Sequence, residues 1–168
     1  MFVTFRLYNT LPLKRESPDR LPSGEAFVCM DRLLDEELAG PSYMRIPAIA
    51  EVVVAAIRRG APDDYLLHSW VVMPNHVHLL ITPRTEPSVA LRRMTGSSAS
   101  EANRLLGVTG RPFWQDESYD HLVRNDEEFE RIDYYILQNP VRAGLVRSEH
   151  EYRWSSEFGA GGLKPAAG

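Results

Sequence analysis

The chain has 168 residues, 43% of them hydrophobic and 25% charged, which fits one globular domain and excludes wholesale disorder or a fibrous repeat. Its 19 basic and 23 acidic residues leave a net charge of −4, so any nucleic-acid binding must use a local patch rather than overall charge. Cys29 is the only cysteine, which rules out an internal disulfide or a Cys-x-x-Cys site; with no basic-then-apolar leader and no apolar run of about 18 residues, a cytoplasmic protein away from membranes is expected.

Phe2 to Tyr8 alternates and is rich in β-formers, so it reads as an opening strand. A polar loop over Lys14 to Pro22 precedes helices over Glu25 to Leu38 and Ile46 to Arg59, the second with Ile49, Val52, Val53 and Ile57 on one face. Gly60-Ala61-Pro62 ends it. Tyr65 to Met73 and His76 to Thr82 are β-rich runs joined across Pro74-Asn75, the spacing of a tight hairpin. Ser88 to Leu106 predicts a helix, Ser118 to Val123 a short strand, and Glu127 to Gln138 a further helix with Asp126 as cap or first-turn acid. With the early helices merged into one crossover, the order is βαββαβ plus a C-terminal helix. That is an α+β, ferredoxin-like antiparallel sheet with helices on one face and the other face open to a ligand. Residues 1–156 form one domain in this reading, and 157–168 a flexible tail.

The sharpest local feature is His76-Val77-His78. Side chains alternate along a strand, so the two imidazoles share one face while Val77, Leu79 and Ile81 line the other. Such a pair suits a divalent metal; it also suits two polar residues hydrogen-bonded on an open sheet face. On the last helix, Phe129, Ile132 and Ile136 define a buried stripe, and Tyr135 and Asn139 stand one turn apart on its edge. Tyr134 falls on the far side. A tyrosine there can simply fasten helix to sheet, and Asn139 before Pro140 can end one helix and cap the next. Tyr119 and His121 share a face of the short strand and are a second candidate pair. A cupin-like metal site is disfavoured, because Glu86 is eight residues past His78 and follows Pro83.

Between Arg84 and Arg111 stand Arg84, Arg92, Arg93, Arg104 and Arg111 against Glu86 and Glu101, a local charge of +3. These arginines are candidate phosphate contacts, or else a solvated helix face. Phe113, Trp114 and Tyr119 are candidates for stacking on unpaired bases, although core packing is the commoner fate of such a tryptophan.

HSWVVMPNHVHLLITP, GRPFWQDESYDH, YILQNPVRAGLV and YRWSS, in that order, resemble the REP-associated tyrosine transposases of the single-tyrosine His-hydrophobe-His superfamily. The resemblance runs from about Phe2 to Ser156 and is strongest from His68 to Val146. It implies a sheet presenting the histidine pair and a helix delivering one nucleophilic tyrosine. His76, His78 and Asn139 would hold a divalent metal, Mg²⁺ or Mn²⁺, and Tyr135 would attack single-stranded hairpin DNA to form a 5′-phosphotyrosine bond. The partner implied is hairpin-forming repeat DNA, bound by a monomer or a homodimer. A hairpin-binding protein that no longer cuts is the alternative on the same fold.

Overall fold

The structure, a computed structural model, describes residues 1–10, 32 and 40–159. The loop expected over Lys14 to Pro22, the helix expected over Glu25 to Leu38 (Arg32 apart) and residues 160–168 lie outside these. The described elements are β1 (Phe2–Arg6), α1 (Pro47–Gly60), β2 (Tyr65–Val72), β3 (His76–Pro83), α2 (Pro87–Leu106), β4 (Tyr119–His121) and α3 (Asp126–Arg142). The strands lie in the order β2-β3-β1-β4 and every neighbouring pair is antiparallel. β1 and β2 therefore run parallel with β3 inserted between them, the split βαβ arrangement expected from the element order.

Local chemistry sets the helix ends. Proline stands in the first turn of α1 and of α2, where its missing N–H costs nothing. At α3 the cap is Asn125, not Asp126: the Asn125 side chain accepts from the Glu128 amide at 2.8 Å. Asp126 is the first-turn acid, joined by Glu127 and Glu128 at the positive end of the helix. Asn139 does not end this helix. α3 continues through Pro140, and the chain turns at Gly144 (φ 70°), closed by the Leu145 amide bonding to Pro140 O at 2.9 Å.

One sheet face packs Val3, Phe5, Val77, Leu79 and Ile81 against α1 and α2 in a large apolar core. The opposite face, expected to be open, is covered by α3. The Phe129–Ile132–Ile136 stripe of α3 needs apolar partners, and Phe2, Val71 and Leu80 supply them. β4 is shorter than expected: its pairing stops at Phe2–His121 near the chain start, and the far end of β1 pairs with residues 113–115 instead. There Leu7 bridges Trp114, the Tyr8 amide bonds to Phe113 O at 2.8 Å, and the Gln115 amide bonds to Arg6 O at 2.8 Å.

The YRWSS motif runs along the outer edge of β2. The Val72 amide bonds to Trp154 O at 2.8 Å, the Ser156 amide to Trp70 O at 3.0 Å, and the Tyr152 hydroxyl donates to Val72 O at 2.9 Å. The motif thus closes an edge that would otherwise expose unpaired backbone groups. Hydrogen bonding continues to Gly159, whose amide bonds to His150 O at 3.2 Å. Among the described residues no helix is long and apolar enough to cross a membrane.

Candidate active site

Alternation along β3 places His76 and His78 on the face under α3, and both side chains are completely buried. Their ring centroids are 4.7 Å apart. The register aligns Val71, His78, Thr4 and Tyr119 in one row across all four strands. His78 Nδ1 lies 2.7 Å from Thr4 Oγ1, and His76 Nδ1 lies 2.7 Å from Asn75 Oδ1. An amide oxygen only accepts, so the His76 proton sits on Nδ1 and the Nε2 lone pair points away from Asn75. The Thr4 hydroxyl can receive a proton from His78 in the same way. The Nε2 atoms of both rings and Oδ1 of Asn139 are buried.

α3 brings the other members. Tyr135 is half-buried, with its ring centroid 5.8 Å from that of His78 and 6.4 Å from that of Phe2. Asn139, one turn further along the same edge, is fully buried, whereas Tyr134 is 67% exposed and points away. The guanidinium of Arg142 stacks on the Tyr135 ring, 4.7 Å from its centroid. Arg6 stands opposite His76 in the register; burial draws its pKa down from the ordinary guanidinium value, opposed by the Glu117 carboxylate.

The donor chemistry of these side chains would suit a small divalent cation. The Asn75 oxygen at His76 Nδ1 favours the tautomer that leaves Nε2 able to ligate, the Thr4 hydroxyl is compatible with the same tautomer at His78, and Asn139 adds an amide oxygen of the kind a hard cation accepts. Among the described residues no three His, Cys, Asp or Glu side chains gather to form a site of another kind.

Of the second candidate pair, His121 is engaged elsewhere. His121 Nε2 bonds to Glu128 Oε1 at 2.9 Å, beside the α3 cap, and is committed to that helix start. Tyr119 packs edge-on against Phe2, and its phenol pKa is pushed up by burial and then by the Asp120 and Glu128 carboxylates.

The five arginines do not meet on this face. α2 packs on the other side of the sheet, and its residues 92 and 93 point to different sides of it. Arg92 and Arg111 line a groove of about 830 Å³ between α2 and residues 109–118. Arg93 bonds to Asp64 at 2.9 Å, and Arg84 and Arg104 are exposed. Phe113 and Trp114 are core residues, with Trp114 Nε1 donating to Ser98 Oγ at 3.0 Å, so neither presents a face for base stacking. Sequence reasoning passed over Thr4, Asn75, Arg6 and Arg142. Only Asn75, adjacent to His76, carried a local signal.

Residues 54–139 match the family described as Transposase IS200 like, and this span includes the histidine pair, Tyr135 and Asn139. The chain belongs to that family. It is 26% identical over 105 residues to the REP-associated tyrosine transposase of Escherichia coli K12, an alignment covering 61% of this chain and 59% of that protein. The chain thus matches a little over half the length of this curated relative. The solved structure of a REP-associated tyrosine transposase bound to a REP hairpin superposes with a TM-score of 0.57 at 21% identity, covering 99% of this chain and 84% of that one. The two share a fold, and within the family the relatives of this chain are REP-associated tyrosine transposases.

Proposed function

We propose that this protein cleaves and rejoins single-stranded DNA at hairpin-forming, REP-like repeats by transesterification. The observation that carries the reading is the Tyr135 ring 5.8 Å from the His78 ring, on the helix edge that also bears Asn139, in a chain of the IS200-like transposase family. The phenolic oxygen of Tyr135 attacks a backbone phosphorus. An O–P bond forms, the P–O3′ bond breaks, the phenol proton departs and the freed 3′-oxygen takes up a proton. The resulting 5′-phosphotyrosine conserves the bond energy, so reversal by a 3′-hydroxyl rejoins a strand without an external energy source.

A phenol with a reference pKa of about 10 is a weak nucleophile at neutral pH, so developing charge at the phosphate must be stabilised. His76, His78 and Asn139 would hold a divalent ion, which when bound polarises the phosphate oxygens. Two imidazole ligands favour Mn²⁺ over Mg²⁺ in affinity, and either ion supports the chemistry. All four residues come from one chain, so this site requires no second copy. The acidic overall charge leaves DNA to local cations, with Arg92 and Arg111 in the far-face groove as candidate contacts for flanking DNA. Such a substrate places the protein at the cytoplasmic nucleoid.

The complete burial of both imidazoles favours one other reading, a hairpin-binding protein of the same family that does not cut. The deciding experiment incubates a labelled single-stranded REP-type hairpin with the protein and Mn²⁺. The expected result is a denaturant-resistant protein–DNA adduct that falls to background in Tyr135→Phe. Hairpin binding with no adduct decides for the second reading, and an adduct that persists in Tyr135→Phe moves the nucleophile elsewhere.

A further inference from the structure

We propose that Arg142 is the residue of this site that grips the DNA phosphate, its guanidinium braced on the Tyr135 ring. This rests on the reading of Tyr135 as the attacking group. The guanidinium carbon sits 4.7 Å from the ring centroid. A guanidinium held over a ring in this way uses a face for the aromatic contact and keeps N–H donors for a fork that matches two phosphate oxygens.

Three other arginines, by contrast, already face carboxylates. Arg93 lies 2.9 Å from Asp64, Arg131 lies 3.9 Å from Glu128, and Arg153 lies 2.8 Å from Glu51. Arg142 is exposed, and among the described residues no ion pair engages it. The first turn of α3 carries Asp126, Glu127 and Glu128 while its last turn carries Arg142. Side-chain charge thus repels an incoming polyanion from the start of the helix and draws it to the end beside Tyr135, against the helix dipole, which alone would favour the start. A phosphate held in the Arg142 fork lies next to the ring that bears the nucleophile, so one side chain both fixes the ring and places its target.

Metal-free binding tests this without any cleavage. Fluorescence anisotropy in EDTA compares two probes, a REP-type hairpin carrying a single-stranded flank across the cleavage position and the same hairpin without the flank. Arg142→Gln is expected to weaken the flanked probe about tenfold, the scale of one charge-assisted hydrogen-bonded contact, and to leave the flankless probe unchanged. The slope of log K against log salt for the flanked probe should fall by about 0.7. Replacing the scissile phosphate by a methylphosphonate should cost the wild type the same factor and Arg142→Gln nothing more. Arg142→Lys, which keeps the charge but not the fork, should retain the slope and lose part of the affinity. Arg131→Gln on the same helix should bind as wild type.

Wild-type affinity and slope in Arg142→Gln overturn the proposal, as does a methylphosphonate loss that simply adds to that of the variant. An adduct at Tyr135 with a silent Arg142→Gln removes Arg142 alone. A clear Arg142 effect with no adduct removes the cutting reaction and keeps the phosphate grip. A wild-type protein that binds neither probe removes both.

Discussion

The two faces of the sheet are built from alternate residues of the same strands, yet they hold very different interiors. Under α1 and α2, β3 contributes Val77, Leu79 and Ile81 to an apolar core. Under α3 the same strand contributes His76 and His78, joined by Thr4, Asn75 and Asn139 as buried polar groups. Burying imidazole, hydroxyl and amide groups costs free energy unless each is hydrogen-bonded, so the second face holds a polar cluster suited to positioning reacting groups beside the smaller apolar cluster of Phe2, Val71, Leu80 and Ile136 that seats α3. The first face is apolar throughout its contact with α1 and α2. The period of two along β3 thus keeps the two histidines out of the larger core.

Neighbouring residues on β3 give the sharpest way to break that contrast. Leu79→Ala removes a fully buried side chain from the apolar face and is expected to cost about 2–5 kcal/mol of folding free energy, read from denaturant titration. His78→Gln, one position away, should leave the unfolding midpoint close to wild type but abolish saturable Mn²⁺ binding and adduct formation. A Leu79→Ala protein that loses adduct formation with its stability intact would contradict the division, as would a His78→Gln protein that unfolds.

How much of this was legible beforehand follows from the range over which each feature is determined. The shared face of His76 and His78 and the one-turn spacing of Tyr135 and Asn139 follow from local periodicity, the core role of Trp114 from the usual burial of a large aromatic, and the structure places them so. The family resemblance implied that α3 faces the histidine pair, but periodicity alone left that face open, because the placement depends on how the stripe of Phe129, Ile132 and Ile136 meets Phe2 and Leu80, a contact between distant parts of the chain. Thr4 as partner of His78, 74 residues away, needs the β1–β3 register. The grouping of five arginines by sequence proximity ignored that consecutive helical residues diverge by about 100°, which here sends Arg92 to a groove and Arg93 to Asp64.

A smaller effect sharpens the comparison within the polar face. Thr4→Val keeps the shape of the side chain but removes the oxygen 2.7 Å from His78 Nδ1. Loss of one net hydrogen bond costs about 0.5–1.5 kcal/mol of stability. The larger consequence is expected at the ligand site, since an outer-shell partner fixes ring orientation and tautomer. Mn²⁺ affinity measured by calorimetry should drop about 10–100-fold. An unchanged affinity would show that Thr4 only fills a polar position in the sheet.

The smallest expected effect concerns how α3 is held down. His68 stands at the irregularity between Leu67 and Ser69, with Nε2 2.8 Å from Thr82 Oγ1 and its ring edge-on to Phe129, centroids 5.0 Å apart. Burial draws its pKa below the ordinary imidazole value, with the Asp133 carboxylate opposing. The unfolded chain therefore binds more protons at this position than the folded one once pH falls toward about 6.5. Stability from His68 is full above that value and declines as pH drops through the lower, folded pKa. The melting temperature should accordingly fall as pH is lowered across this window, and His68→Gln should remove that part of the slope. Because the His68 ring packs on Phe129 of α3, acid should also speed amide exchange in α3 first. Equal acceleration on both faces, or an unchanged slope in His68→Gln, would place the pH-sensitive contact somewhere other than the seam beneath the tyrosine-bearing helix.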